Sequence, residues 1–316
     1  MLAFLKLIRT QNLLIIAFTQ YMVRWFLLYP LLKIHGFELQ LSNFHFFLLV
    51  LSTVMIAAAG YIINDYFDVA IDRVNKPERL VIDKGIKRRV AMGAHTVINI
   101  LAILIALYVS HQAGSLKLIV VHILCAAGLW FYSTNFKRQF LIGNLMISIF
   151  TALVPFIVGL YELLPVHKIY SEMIDETSLQ EEWKFVLGIS FFAFIVTLLR
   201  EIIKDMEDVE GDEKYGCKTM PIVIGIRASK NMSIVLAVFT MVFLVYFQTI
   251  KWSTSNLLSA SYIGIAIQLP FIYLIYRLIT AKEKKDFKIA GNVAKFIMLT
   301  GVCYLFIFTR SILYYV

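Results

Sequence analysis

Residues 44–72 read FHFFLLVLSTVMIAAAGYIINDYFDVAID, and two patterns meet in them. From Phe44 to Ile63 the run is apolar and long enough for a helix to cross a hydrocarbon core of about 30 Å, which takes about 20 residues. At Asn64 the pattern breaks. Asp65, Asp68 and Asp72 then follow at i, i+3 and i+7, the spacing that puts side chains on one face of a helix. The stretch therefore predicts a membrane-crossing helix with carboxylates on one face where it leaves the bilayer.

The same ruler finds further runs at 13–32, 91–109, 116–131, 141–164, 185–199, 233–250, 257–279 and 293–313, so about nine spans are expected in one bundle. Composition agrees: of 316 residues 60% are hydrophobic and 16% charged, whereas a soluble domain carries about a quarter charged residues. A disordered chain is excluded by the hydrophobicity, and a disulfide scaffold by a cysteine set limited to Cys125, Cys217 and Cys303. A barrel would alternate polar and apolar residues over about ten positions, which these runs do not. The fold expected is an all-α polytopic membrane protein forming a single domain over residues 1–316. No small-residue cleavage pattern follows the first run, so it is expected to be a retained span.

Nine spans put the amino terminus and every second connection on one side. That side holds 22 of the 30 Lys and Arg residues, against six on the other, with Arg24 and Lys295 inside spans. The positive-inside rule makes the rich side cytoplasmic, and the location expected is the cell inner membrane. The net charge of +9 is thus a topology signal, with membrane lipids as partners. No stacking-plus-basic module for nucleic acid is present. The opposite-side segment 165–184, with Glu172, Asp175, Glu176, Glu181 and Glu182, reads as a solvated acidic loop.

A second acidic cluster stands after the sixth span, where Asp205, Asp208 and Asp212 repeat the first spacing 140 residues later in identical register. Two like charges about 6 Å apart at an effective dielectric of about 20 repel by roughly 3 kcal/mol, so such faces call for cations or protons. Mg²⁺ is held by one or two carboxylates together with substrate phosphates, and two facing acidic ends suit Mg²⁺ bridging a diphosphate. The spacing is wrong for a calcium loop, and the six histidines are too scattered for zinc. An ion or proton transporter is the rival reading, although transporters bind near the midplane, whereas these acids sit at the interface.

These residues resemble the UbiA superfamily of intramembrane prenyltransferases. Its first motif, Asn-Asp-x-x-Asp-x-x-x-Asp, is matched at Asn64 to Asp72, and its second, Lys-Asp-x-x-Asp-x-x-Gly-Asp, at Lys204 to Asp212. Arg9 and Asn12 fit its Arg-x-x-Asn, and Tyr132-Ser133, Lys137 and Gly143-Asn144 are similar to its segment around spans four and five. The resemblance implies that Asn64, Asp65, Asp68, Asp72, Asp205, Asp208 and Asp212 hold Mg²⁺ and the diphosphate of a polyprenyl donor. Within that set, Asp68, Asp72, Asp205 and Asp208 are the expected catalytic carboxylates. It implies that Arg9, Arg73, Lys76, Arg79, Lys137 and Lys204 neutralise phosphate oxygens, that Asn12 and Tyr132 contact substrate, and that the loops at 73–89 and 213–230 cap the site. One departure is that Arg79 is followed by Leu80 where the family commonly has Pro. The local wording around both motifs is most similar to the branch that alkylates geranylgeranylglyceryl phosphate, with prenylation of an aromatic quinone precursor (4-hydroxybenzoate or dihydroxynaphthoate type) as the alternative.

Overall fold

In a computed structural model, described for residues 2–78, 80–171, 179–251 and 257–313, the chain is helical with no strand among the described residues. Among the described residues, nine helices are long and apolar enough to cross a membrane: α1 Thr10–Ile34, α2 Asn43–Asn75, α3 Arg88–Gln112, α4 Leu116–Thr134, α5 Ile142–Ile169, α6 Gln180–Lys214, α7 Ile226–Tyr246, α8 Leu257–Thr280 and α9 Lys284–Arg310. Mid-helix residues such as Val97, Leu104, Leu124 and Val242 are exposed apolar side chains, as a lipid-facing surface requires.

The helices outrun the apolar runs that announced them. α2 continues through its aspartates to Asn75, and α6 carries the second cluster to Lys214. Backbone hydrogen bonding does not stop where side chains turn polar, so both acid trios ride on helix beyond the apolar stretch. At its start α2 is capped by Ser42, whose hydroxyl accepts from the His45 N–H at 3.2 Å. Two π-helical turns, Arg24–Leu28 and Ile263–Gln268, each precede a proline, Pro30 and Pro270. A proline lacks the N–H that would bond residue i−4, so the carbonyl of Phe26 is freed. Thr309 of α9 fills the gap, its hydroxyl donating to that carbonyl at 2.5 Å.

At the end of the bundle away from the aspartates, both flanks of the acidic loop expected over 165–184 are helical among the described residues. α5 extends to Ile169 and α6 starts at Gln180. Glu182 is fully buried and lies 2.7 Å from His35 Nδ1. Glu172, Asp175 and Glu176 lie outside the described residues. Nearby, Arg24 of α1 and Glu162 of α5 form a buried ion pair at 3.1 Å. The second Glu162 oxygen accepts the N–H groups of Gln40 and Leu41, and Arg24 donates to the Leu41 carbonyl. Arg24→Met would leave the buried Glu162 without its cation, so a loss of about 3–5 kcal/mol is expected. Thermal unfolding in detergent should show R24M far less stable than the double variant R24M/E162Q, and equal stabilities would refute the pairing argument.

Candidate functional site

The two acidic helix ends are joined by one side chain. Asn75, buried at the end of α2, donates to the Asp208 carbonyl at 2.8 Å and accepts from the Gly211 N–H at 2.9 Å. Gly211 permits this approach, since a Cβ there would stand 2.5 Å from the Asn75 amide nitrogen. Lys284 at the start of α9 donates to the Asn75 carbonyl at 2.8 Å. The 140-residue repeat therefore places its copies face to face.

Between them the acids are met by amines. Lys137, in the turn between α4 and α5, bonds Asp68, and Lys76 bonds Asp208 at 2.5 Å. Arg9 bonds Asp65 at 2.7 Å, and Asn144 donates to Asp205 at 2.8 Å. Lys137 is set over Asp68 by a close contact: a Cβ on Gly143 would lie 2.9 Å from the Lys137 Cα. Burial alone would lower the Lys137 ammonium, but Asp68 and Asp72 outweigh it and hold it above the ordinary lysine range. Burial does win at Lys76, which is lowered in spite of Asp208. Arg9 is held above its ordinary range, because Asp65 and Tyr61 together outweigh its burial. It adopts a left-handed backbone, φ 52°, at the junction between a short leading helix and α1, an uncommon conformation for a side-chain-bearing residue.

Among the described residues, no three His, Cys, Asp or Glu side chains converge as a metal cage, so the expected seven-residue ligand set is not preformed. The reason is visible in the pairing: Asp68, Asp205 and Asp208 are each turned onto an amine or amide. The donors nevertheless fit a hard divalent cation. Asn64 gives its amide N–H to Asp68 at 2.8 Å, and its carbonyl oxygen is buried without a hydrogen-bond partner, as is Asp208 Oδ1. All-oxygen donors with one or two carboxylates free to turn are what Mg²⁺ takes when phosphates complete its shell.

From this charged end a chamber of about 2420 Å³, counting its open mouth, runs into the bundle. Arg9, Asn12, Asn64, Tyr132 and Lys204 line its mouth, and Thr53, Ile56, Phe150, Phe192, Ile263, Ile267 and Met298 are among its walls. Along α6 the lining runs from Lys204 to Phe185, about 28 Å at 1.5 Å per residue. Pro155 and the π-turn residues Leu27, Ile263 and Ile267 also face it, so the π-turns of α1 and α8 and the proline of α5 border this space.

Of the sequence-derived residues, Arg9, Asn12, Asn64, Asp65, Asp68, Asp72, Lys76, Tyr132, Lys137, Lys204, Asp205, Asp208 and Asp212 gather at this end, and their charges act on one another. Arg73 does not join them: it is 62% exposed and pairs with Asp83 of its own connection at 3.7 Å. Arg79 lies outside the described residues. The connection after α2 buries Ile82 among Leu7, Ile62, Val69 and Ala91. Asn75, Asn144, Arg200, Glu201 and Lys295 were given no role by the sequence. Asn75 and Asn144 stand inside or beside the motif-like segments, which is the signal that marks them. Arg200, Glu201 and Lys295 show only as charges at the edge of apolar runs.

The UbiA prenyltransferase family model matches residues 35–308. A digeranylgeranylglyceryl phosphate synthase of Methanosphaera stadtmanae is 30% identical over 261 residues, 81% of this chain and 85% of that protein. The corresponding synthase of Methanothermobacter thermautotrophicus is 36% identical over 190 residues, 60% of this chain and 59% of that protein. Among solved structures, one described as digeranylgeranylglyceryl phosphate synthase in membranes is similar with a TM-score of 0.64 at 24% identity, covering 98% of each chain. A UbiA homolog from Archaeoglobus fulgidus bound to DMAPP and Mg²⁺ is similar with a TM-score of 0.55 at 17% identity, covering 96% of this chain and 98% of that one. At these identities the structural likeness shows a shared fold.

Proposed function

The chain belongs to the UbiA prenyltransferase family, and from that premise we propose that it moves a polyprenyl group from its diphosphate to the hydroxyl of a membrane-resident isoprenoid glyceryl phosphate, forming an ether and releasing diphosphate. The observation that carries this reading is the continuity of the acid and amine cluster with a deep apolar chamber. One end suits a diphosphate and the other a hydrocarbon tail. Three bonds of extended peptide span about 3.3–3.6 Å, so a four-bond isoprene unit spans about 4.6 Å and four units about 18 Å. The wall along α6 exceeds that length. The names of the curated relatives support the glyceryl phosphate acceptor.

In this reading Asn64, Asp65, Asp68, Asp72, Asp205, Asp208 and Asp212 supply the oxygens for Mg²⁺. When bound, Mg²⁺ neutralises the phosphate oxygens and makes diphosphate a better leaving group. Lys76 and Lys137, bonded to Asp208 and Asp68 in the resting chain, and Arg9 and Lys204 are placed to take phosphate oxygens as the donor enters. Such fixed donors act on charge that grows as the C–O bond breaks. The allylic cation is then captured by the acceptor hydroxyl, whose proton is released, while the apolar walls keep water from competing. The Lys and Arg bias supports a cytoplasmic placement of this end.

The test is a product screen by mass spectrometry with Mg²⁺, one C20 diphosphate donor and three acceptors: a prenylglyceryl phosphate, 4-hydroxybenzoate and dihydroxynaphthoate. The expected product is the ether. A carbon-prenylated aromatic acid with no ether would overturn the acceptor assignment while leaving prenyl transfer intact.

A further inference from the structure

The mouth of the chamber carries two cations that the diphosphate reading leaves without a task. Arg200 of α6 and Lys295 of α9 line it beside Arg9, Asn12, Glu201 and Lys204. The Lys295 ammonium donates to the neutral Asn12 carbonyl oxygen at 2.8 Å, and Arg200 brings a like charge to the same mouth. Arg200 bonds Glu201 at 2.7 Å but shares that buried carboxylate with Lys204, 3.4 Å away. Arg9 is matched by Asp65. Arg9 and Lys204 serve the diphosphate in the reading above, so Arg200 and Lys295 are two cations beside one carboxylate, Glu201, at an apolar wall. Asp205, the next acid along α6, is turned onto Asn144 and belongs to the carboxylates offered to Mg²⁺. Like charges gathered next to low-dielectric walls repel strongly, an arrangement that an anion would relieve.

The position of this excess separates it from the diphosphate. Arg200 precedes Asp208 by eight residues, about 12 Å deeper along α6. Lys76 and Lys137 instead meet Asp208 and Asp68 at the outer end. We propose that Arg200 and Lys295, together with the Asn12 that Lys295 bonds, bind the phosphomonoester head group of the acceptor lipid, and so select a phosphorylated over an unphosphorylated glyceryl ether. The inference rests on the glyceryl phosphate reading and deepens it. A phosphomonoester carries about 1.5–2 negative charges at neutral pH, which the two cations would meet. A guanidinium presents the planar fork that such an anion takes in two parallel bonds. The reacting hydroxyl of a glyceryl phosphate lies within a few bonds of the phosphate. Pinning the phosphate at Arg200 and Lys295 would leave that hydroxyl reaching toward Asp68 and Asp208.

The experiment uses the full-length chain in detergent with Mg²⁺ and a C20 donor, comparing the wild type with K295M, K295R and R200M. Acceptors are an alkylglyceryl phosphate and the same ether without phosphate. K295M and R200M should raise KM for the phosphorylated acceptor about 10- to 100-fold, as loss of a charge-assisted bond does, and K295R should recover much of it. Donor KM should stay within about twofold, and the wild-type preference for the phosphorylated acceptor should collapse in K295M. A rise in donor KM alone would assign both cations to the diphosphate and overturn the proposal. Equal loss with both acceptors would do the same. A second measurement stands apart from transfer: the short-chain alkylglyceryl phosphate alone should raise the unfolding temperature of the wild type and not of K295M. If the wild type transfers to no glyceryl phosphate, the function reading fails, and this shift still decides the head-group site. Equal stabilisation of both proteins, or of neither, refutes it.

Discussion

Asp68→Asn and Asp208→Asn should each lower kcat/KM for prenyl transfer by about 10³-fold or more, with little change in the fold. The substitution keeps the shape of the side chain and removes one negative charge. In the resting chain that charge is matched by Lys137 at Asp68 and by Lys76 at Asp208. In the working enzyme it is proposed to help hold a divalent cation against diphosphate, an interaction that grows as the leaving group separates. Loss of one preorganised charge-stabilising group costs about 10²–10³ in kcat in well-studied cases, and a metal-bound site multiplies that cost. At about 1.36 kcal/mol per decade, the expected loss is about 4 kcal/mol of transition-state stabilisation. Folding is a separate question. These pairs are part-exposed, with Lys137 at 23% and Lys76 at 14%, so an unmatched amine can turn to water. Diphosphate release over a Mg²⁺ titration, alongside unfolding temperatures, checks both halves. Turnover in either variant close to wild type would sink the proposed role of that carboxylate.

What the sequence made legible follows from what helical periodicity encodes. The i, i+3, i+7 spacing of Asp65, Asp68 and Asp72, repeated at Asp205, Asp208 and Asp212, fixes a shared helix face, and both trios do ride on α2 and α6. Apolar length located the nine spans found among the described residues, but it placed the ends of α2 and α6 too early: α6 runs to Lys214, well past the expected residue 199. Hydropathy measures what lipid tolerates, and the backbone is indifferent to it. Pairing between helices is another matter, because no local pattern says which side chain faces which. Lys137 meets Asp68 across 69 positions and Arg24 meets Glu162 across 138. For the same reason Arg73, beside the first motif, belongs with Asp83 and not with the cluster. Arg200 and Lys295 are ordinary span-edge cations in the sequence, and only their convergence on Asn12 and Glu201 sets them apart.

Gly211→Ala should lower kcat/KM by about 10- to 100-fold, although the residue bears no side chain and touches no charge. The Cβ it adds would fall 2.5–2.6 Å from the Nδ2, Cγ and Oδ1 atoms of Asn75, well inside van der Waals contact. α6 is committed to its helix on both sides of this point, so the Asn75 amide is the part that gives way. Its displacement breaks the bond to the Asp208 carbonyl and the bond from the Gly211 N–H together. Leaving buried donors and acceptors unmatched costs about 1–3 kcal/mol each. Those bonds are also what hold the two acidic faces in register, and Asp208 lies three residues from the clash. A change in spacing between the carboxylates should therefore reach the reaction more than the fold, since misplacement of about 1 Å can cost about 10²-fold in rate. The cause can be isolated with Asn75→Ala, which removes the obstructed group. If steric displacement of Asn75 is the mechanism, N75A and N75A/G211A should be equally impaired, because the second change then has nothing left to push. Losses that instead add in the double variant would mean that Gly211 matters for some property of α6 itself, and the clamp between the two motifs would not be what sets their spacing.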